Sequence, residues 1–326
     1  MIFKINLNDN KQKLLLIDFI KANSLEFSDE IDLAFVVFYK DKIIACICKF
    51  KLMIKYVIID KEHQKENIFS LLLNTMITYA KEQNINTLRL CTCKHNAIKF
   101  QNFSFRLLCT SKELCLLEYG YSLFDEFINN IRAKLDTNKS YTSIVMNANP
   151  FTLGHKYLID CALKHNENLI LFIVSEDKSF FTFKERFMIV KENLKKYKNI
   201  LIFPSGDYII SNATFSTYFL KQDINLAKSY LDAKIFSSLI APCLNIKSRF
   251  VGSEPNCKVT NAYNMALKEC FKEDNLDLFE LSRISINNKI ISASLIRKYI
   301  AENNFNEIKK YLSDTSLKLI KKCKNF

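Results

Sequence analysis

Two short segments in the second half of the chain place phosphate-binding side chains at the start of a predicted helix. The first runs from Asn147 to His155 (NANPFTLGH) and follows an apolar run. A helix start offers free N–H groups and a partial positive charge, and Gly154 lets an anion approach the backbone. Thr152 and His155 add two side-chain donors. The segment therefore predicts a phosphate site; an ordinary turn capped by Asn149 or Thr152 is the alternative.

The second segment is Ile291 to Arg297 (ISASLIR). Ser292 and Ser294 are suited to capping a helix, and Arg297 lies one turn beyond Ser294 on the same side. Hydroxyls and a guanidinium at a helix start predict an anion site. The alternative is a plain capping motif with a solvated arginine.

Four further charged residues are candidates. Lys178 and Lys184 precede or begin a predicted helix and are candidates for holding phosphates or a carboxylate substrate, with solvated lysines as the alternative. Arg186 is a candidate for the same role, and a surface salt bridge is its alternative. Glu254 follows a predicted strand and Gly252; it is a candidate for contact with ribose or adenine, or a structural carboxylate of the loop.

The elements around these segments alternate between strand and helix. Strands are predicted at 143–146, 169–174, 200–203 and 249–251, and helices at 155–165 and 183–197. This alternation predicts a parallel sheet with helices on both sides. Ligands of such sheets bind beyond the carboxyl ends of the strands, where three of the chain's four glycines also lie at junctions between elements.

The first half has a mixed α/β pattern. Helices are predicted at 13–23 and 68–82, and strands at 31–39, 43–50, 56–60 and 87–92. A charged helical connector covers 121–134, and the polar stretch 136–140 suits a domain boundary. We therefore expect two domains, 1–135 and 140–326.

Composition excludes several classes of protein. The 326 residues are 49% hydrophobic, contain no apolar run long enough for a membrane span, and begin without a secretory pattern, so a cytoplasmic protein is expected. The net charge of +13 comes from lysines spread along the chain, which favours phosphate-rich small molecules over nucleic acid. The eleven cysteines lack zinc spacing, so reduced thiols and no metal ligands from side chains are expected.

The two segments together resemble a known superfamily. Thr152-x-Gly154-His155 and Ile291-Ser292-x-Ser294-x-x-Arg297 are similar to the two signature motifs of the nucleotidylyltransferases. The resemblance is closer to one family, the citrate lyase ligases, also called acetate:citrate lyase synthetases. The stretches that carry it are Ile144–Thr152 with Gly154 and His155, Asp207–Ser211, Ala213–Phe215, Tyr218–Lys221, Arg249–Pro255 and Ile291–Ser294.

This resemblance implies a Rossmann-like nucleotidylyltransferase domain that binds ATP with Mg²⁺. It implies that acetate is activated as acetyl adenylate, with release of pyrophosphate and AMP. The acetyl group then passes to the thiol of a phosphoribosyl-dephospho-CoA group on the acyl carrier subunit of citrate lyase. His155, Thr152, Arg297 and Lys178 are the expected catalytic residues, and the expected ATP contacts add Asn147, Ala148, Asn149, Phe151, Gly154, Gly252, Glu254, Ser292 and Ser294.

The N-terminal half resembles the acetyltransferase-like (GNAT) domain of these ligases. In a working GNAT domain a glycine-rich loop holds the CoA pyrophosphate, whereas the matching stretch here, Gln64 to Phe69, has no glycine and contains Glu66. We therefore expect no tight binding of acetyl-CoA. The alternatives for the whole chain are another adenylyltransferase acting on a small phosphorylated substrate, or a non-catalytic module that binds CoA or an acyl carrier.

Overall fold

The computed structural model describes residues 2–27, 30–64, 67–177, 179–210, 222–253, 258–286 and 289–324. The chain divides into two compact units. The first comprises residues 1–123 and 213–231, and the second comprises residues 124–212 and 232–326. The connector helix thus belongs to the second unit from Phe124 onward, while the domain limits at 135 and 140 stay a prediction.

Among its described residues the first unit has a seven-stranded mixed sheet, three helices that lie between the strands, and residues 222–231 of a later helix. Its elements are β1 (Ile2–Lys4), α1 (Asn10–Ala22), β2 (Leu33–Tyr39), β3 (Lys42–Phe50), β4 (Met53–Ile59), α2 (Ile68–Glu82), β5 (Thr87–Cys93), α3 (Lys94–Gln101), β6 (Arg106–Thr110) and β7 (Leu114–Gly120). The strand order is β1-β2-β3-β4-β5-β7-β6, and the pairing of β4 with β5 is parallel while the other pairs are antiparallel.

The hairpin between β2 and β3 shows how local sequence sets this sheet. Lys40 and Asp41 both have positive φ, 47° and 61°, which gives a tight two-residue turn between antiparallel strands. Helix α2 then covers one face of the sheet and buries Leu72, Leu73 and Met76 completely.

The second unit is built on a five-stranded parallel sheet. The elements from here to the end of the chain are α4 (Leu123–Arg132), β8 (Tyr141–Met146), α5 (Leu153–His165), β9 (Leu169–Ile173), α6 (Phe183–Leu194), β10 (Ile200–Pro204), α7 (Gln222–Lys234), α8 (Ala241–Cys243), β11 (Ile246–Gly252), α9 (Lys258–Glu273), β12 (Asp277–Leu281), β13 (Ser285–Ile286), β14 (Lys289–Ile290), α10 (Ala293–Ala301), α11 (Phe305–Ile308) and α12 (Asp314–Lys324). All belong to the second unit except Leu123 and α7 up to Leu231, which belong to the first. A π-helical turn, Ile235–Ile240, separates α7 from α8.

The strand order β10-β9-β8-β11-β12 confirms the predicted parallel sheet. From β8 the chain builds outward through β9 and β10 on one side, and then through β11 and β12 on the other. The order therefore reverses between β8 and β11, and a crevice opens at the carboxyl ends of strands at such a switch point. The first predicted phosphate segment follows β8, which ends at this edge, and the second is reached from the end of β12 through the short hairpin of β13 and β14.

A buried apolar cluster fixes the helices of one face against this sheet. Ile144 of β8 and Phe250 of β11 pack with Ile159 of α5 and Ile296 of α10. The helices that follow the two phosphate segments are thereby held on the same side of the sheet. None of the described helices is long and apolar enough to cross a membrane.

Candidate functional site

The start of α5 is closed by a reciprocal pair of hydrogen bonds between Thr152 and His155. Thr152 is the N-cap residue, and its Oγ1 accepts from the His155 backbone N–H at 3.4 Å. In return the Thr152 backbone N–H donates to Nδ1 of the His155 ring at 3.0 Å, and Thr152 Oγ1 lies 2.9 Å from the same nitrogen. The imidazole therefore has a fixed orientation at the first turn of the helix.

This geometry also determines the tautomer of His155. Since a backbone N–H donates to Nδ1, that nitrogen is an acceptor and the ring proton sits on Nε2. Burial, and secondly the positive charge of Arg283, lower the pKa of His155 from 6.5 to about 4. At neutral pH the ring is therefore an uncharged Nε2–H donor.

A second donor at the same helix start is the amide of Gly154. The neighbouring amides are occupied: Leu153 N–H donates to the Tyr311 carbonyl at 3.0 Å, and His155 N–H donates to Thr152. Within the described ranges the Gly154 amide has no acceptor. An anion that approaches Gly154 meets no side chain on that residue and gains the favourable end of the helix dipole.

Arg297 lies on α10 and reaches the loop that precedes α5. Its Nη1 donates to the Asn149 carbonyl oxygen at 2.6 Å, and its Nη2 donates to Ser294 Oγ at 3.0 Å. Ser292 caps α10 by accepting from the Leu295 N–H at 3.1 Å. The two predicted phosphate segments are thus brought together, and Arg297 keeps three of its five N–H donors beyond these two bonds.

The Arg186 side chain fixes the loop between β8 and α5 through hydrogen bonds to backbone carbonyls. The side chain is fully buried and donates to four carbonyl oxygens, those of Asn147 at 2.8 Å, Val174 at 2.8 Å, Glu176 at 2.6 Å and Phe181 at 3.2 Å. The surface salt bridge considered for Arg186 is therefore wrong, because the guanidinium is enclosed by backbone. Contact between Arg186 and phosphate stays a prediction, and the geometry gives this residue a positioning role.

The other predicted contacts in this loop differ in exposure. Asn147 has an exposed side chain, whereas Ala148, Asn149 and Phe151 are buried. The Phe151 ring stacks on the His155 ring with centroids 5.7 Å apart, which supports the orientation of the imidazole. Asn149 Oδ1 accepts from the Phe181 N–H at 3.0 Å. Their contacts with ATP stay predictions.

Four sequence candidates remain, and the structure describes two of them, Lys184 and Gly252. Lys184 is exposed on the first turn of α6, and Gly252 ends β11, where an added Cβ would meet no atom within 4 Å. Lys178 and Glu254 lie outside the described residues. The geometry thus brings Arg297 to the loop before α5, whose first turn carries Gly154 and His155, and leaves the roles of the others as predictions.

Sequence reasoning missed Arg283. This residue follows β12 by two positions, and its Nε donates to the Ser253 carbonyl at 3.2 Å, just beyond the end of β11. After burial, its positive charge is the second cause that lowers the pKa of His155. The sequence could have pointed to Arg283 in one way. It is an arginine between a strand and the Ile291–Arg297 segment, in a stretch with no helical or strand periodicity.

The fold and site define a class of chain in which a GNAT unit precedes a Rossmann-like ligase unit. The model of the acetyltransferase (GNAT) family matches residues 7–103, and that of the citrate lyase ligase C-terminal domain matches residues 141–320. The chain belongs to the citrate lyase ligase family, which confirms the resemblance seen in the sequence. It is therefore an enzyme of the ligase class.

Three curated relatives match nearly the whole chain. The citrate (pro-3S)-lyase ligase of Haemophilus influenzae is 34% identical over 332 residues, which cover 98% of each chain. The ligase of the same name from Klebsiella pneumoniae is 29% identical and covers 93% of this chain and 90% of its own. That of Escherichia coli is 29% identical and covers 94% and 89%.

Proposed function

We propose that the chain activates acetate with ATP and acetylates the thiol of the phosphoribosyl-dephospho-CoA group on the acyl carrier subunit of citrate lyase. Family membership supports the reaction. The observation that carries it is the hydrogen bond from Arg297 to Asn149, because it sets a guanidinium beside the start of α5, where Gly154 and His155 offer N–H donors. A guanidinium and N–H donors at one helix start can bind several oxygens of a polyphosphate.

In the first step an oxygen of acetate attacks the α-phosphorus of ATP. The bond between that phosphorus and the bridging oxygen of the β-phosphate breaks, pyrophosphate leaves, and acetyl adenylate forms. Negative charge grows on the departing pyrophosphate. The Gly154 amide, His155 Nε2–H and the remaining N–H groups of Arg297 stabilise this charge, and such donors act most strongly when they are aligned in advance.

In the second step the sulfur of the prosthetic group attacks the acetyl carbonyl carbon. The bond from that carbon to the AMP oxygen breaks, AMP leaves, and the thiol proton passes to solvent. A thioester remains on the acyl carrier subunit. Acetate, ATP and that subunit are thus the proposed partners, and no nucleic acid takes part.

His155 serves in this scheme as a neutral donor and not as a proton source. Pyrophosphate leaves as an anion and needs no proton at neutral pH, and a ring with a pKa of about 4 carries none to give beyond its Nε2–H. Thr152 positions this ring, since its own hydroxyl and amide are turned toward His155.

Mg²⁺ is proposed to arrive with ATP. The ion prefers phosphate and water oxygens and neutralises charge on the polyphosphate. Oxygen ligands from the nucleotide suffice for this, so the chain's own contribution is the set of N–H donors described above.

The decisive experiment is exchange of labelled pyrophosphate into ATP. Purified protein with Mg²⁺ and acetate should form labelled ATP, and omission of acetate should abolish the label. A panel of other carboxylates in place of acetate defines the preferred acid. Cleavage of ATP to ADP and phosphate without exchange would exclude the adenylate mechanism, and failure to bind ATP would favour a non-catalytic carrier-binding module.

A further inference from the structure

Arg283 lies two residues beyond the last residue of β12, at the carboxyl edge of the parallel sheet. Its side chain is partly buried and extends toward β11, since Nε donates to the Ser253 carbonyl oxygen at 3.2 Å. The backbone nearby is linked in the same way, because the Ser253 N–H donates to the Leu281 carbonyl oxygen at 2.8 Å. Arg283 is therefore fixed between the loops that follow β11 and β12.

A short series of contacts connects Arg283 with the start of α5. The carbonyl oxygen of the next residue, Ile284, accepts from the Ile291 N–H at 3.1 Å. The Ile291 side chain in turn lies 3.6 Å from the position that a Cβ would take on Gly154. The backbone at Arg283 is thus one residue away from a hydrogen bond to the segment that packs against the first turn of α5.

The charge of Arg283 acts on the same helix start. A positive charge disfavours a second one close to it, and after burial Arg283 is the next cause that lowers the pKa of His155. Arg297 approaches a different loop of the site, where its Nη1 donates to the Asn149 carbonyl oxygen at 2.6 Å. Two guanidinium groups, each fixed by a carbonyl oxygen of a different loop, thus lie near the N–H donors of Gly154 and His155.

We propose that Arg283 is a second arginine of the ATP site, and that it binds the β- and γ-phosphates that leave as pyrophosphate. This inference rests on the proposed function and adds a catalytic residue to its site. A polyphosphate carries several negative charges, whereas the neutral His155 ring supplies a hydrogen bond and no charge. One guanidinium binds two phosphate oxygens side by side, so Arg297 leaves others to a second cation. A cation fixed in advance needs no reorganisation when charge develops.

The first test separates contact with phosphate from support of the loop at Ser253. In Arg283→Gln the Nε2 atom takes the place of arginine Nε along the side chain, so the variant loses the charge but keeps a donor for the Ser253 carbonyl oxygen. Calorimetry with Mg²⁺ should show that it binds ATP and pyrophosphate about tenfold more weakly or worse, and AMP as the parent does. Parent affinity for ATP and pyrophosphate, or an equal loss of AMP affinity, overturns the proposal.

Two further variants identify a merely structural arginine. Arg283→Met removes the donor to Ser253 together with the charge, and Lys247→Met removes an exposed cation at the amino end of β11 as a control. Both Arg283→Met and Arg283→Gln should lose affinity for ATP and pyrophosphate, while Lys247→Met should bind all three ligands like the parent. If Arg283→Met binds ATP and AMP poorly and Arg283→Gln binds both normally, Arg283 only supports the loop and the proposal is wrong.

The exchange assay tests the role of Arg283 in the reaction. Arg283→Gln should lower turnover at saturating ATP as well as raise KM for ATP, because charge on pyrophosphate grows as its bond to the α-phosphorus breaks. Arg283→Lys keeps the charge and should recover part of both losses. Parent turnover in Arg283→Gln would overturn the catalytic role. If ATP and pyrophosphate binding depend on Arg283 as stated, yet the parent shows no acetate-dependent exchange, the proposed function fails while the phosphate site is supported.

Discussion

Arg297 Nη1 donates to the carbonyl oxygen of Asn149 at 2.6 Å, across 148 residues of sequence. This bond fixes the first turns of α10 against the loop before α5. A second link lies close by, since a Cβ added at Gly154 would meet the Ile291 side chain at 3.6 Å. Two segments that each resemble an ordinary capped helix start therefore form one anion site, and its donors are separately testable.

Replacement of His155 tests the imidazole donor. His155→Ala should lower the rate of acetate-dependent exchange by roughly 10²–10³-fold, the usual effect of losing one aligned donor to a transition state. Far-UV circular dichroism should be unchanged, because the His155 backbone N–H still donates to Thr152 Oγ1 and keeps the helix capped. His95→Ala, at an exposed position of α3, is the control. If His155→Ala has full activity, the Thr152–His155 pair only caps α5 and takes no part in catalysis.

The lowered pKa of His155 predicts a pH dependence of stability. Between pH 6.5 and about 4 the unfolded chain binds a proton at His155 that the folded chain does not. The contribution of His155 to the free energy of unfolding should therefore have its full value above pH 6.5. It should fall as the pH drops toward 4, by up to about 3 kcal/mol. Urea unfolding of the parent and of His155→Gln at pH 7 and pH 5 measures this; equal losses in both proteins would contradict it.

The hydroxyl of Thr152 can be tested against a matched cap. Thr152→Val removes the acceptor of the His155 N–H and one contact to its ring, so we expect about 1 kcal/mol less stability and roughly tenfold lower turnover. Thr152→Ser should restore both. Thr182 caps α6 through the same pattern with Glu185, so Thr182→Val should lose stability alone. If Thr152→Val and Thr182→Val lower turnover equally, Thr152 does not position His155 for catalysis.

The sequence predicted the parallel sheet because periodicity and β-rich apolar runs are local properties. Helix α2 has the predicted bounds, Ile68 to Glu82, since its apolar spacing is regular from end to end. Helix α1 begins at Asn10, three residues before the prediction, because Asp9 caps it through the Lys11 and Gln12 amides and its first turn is polar. Helix ends set by capping are harder to predict from the sequence than helix ends set by the burial of apolar residues.

The sequence predicted which residues belong to the candidate site, but not the contacts between them. Residue types indicated donors at two helix starts. The bond from Arg297 to Asn149 and the effect of Arg283 on the pKa of His155 depend on contacts between distant segments. The tautomer of His155 is set locally by Thr152, but only the geometry shows which ring nitrogen accepts. Arg186 shows the same limit, since its four acceptors come from three separate stretches of chain and give a buried group where sequence suggested an exposed one.

The burial of Arg186 predicts a large effect on stability. Arg186→Met leaves four carbonyl oxygens without their donor, so we expect a loss of about 3–5 kcal/mol and a lower Tm. Arg186→Lys should not restore it, because one ammonium cannot replace a fork that reaches four acceptors. Lys191→Met, exposed on the same helix, is the control. An unchanged Tm with weakened ATP binding would instead place Arg186 at the phosphates.

Arg297 provides the sharpest test of charge stabilisation. Its guanidinium holds the Asn149 carbonyl and Ser294 with two N–H groups and can offer others to a phosphate. Arg297→Lys keeps the charge but cannot make both bonds and still bind two phosphate oxygens. We expect turnover to fall more than ATP affinity, because charge on pyrophosphate grows as its bond to the α-phosphorus breaks. Arg297→Ala should be worse still.

The measurements are the exchange rate and the ATP dissociation constant for the parent, both variants and a control. Lys298→Ala removes the next cation of α10, which is exposed and 3.9 Å from Glu302, and should behave like the parent. If Arg297 only supports the loop, the loss should appear equally in ATP affinity and turnover, since a displaced loop weakens ground state and transition state together. Turnover of Arg297→Lys equal to that of the parent would remove Arg297 from the site.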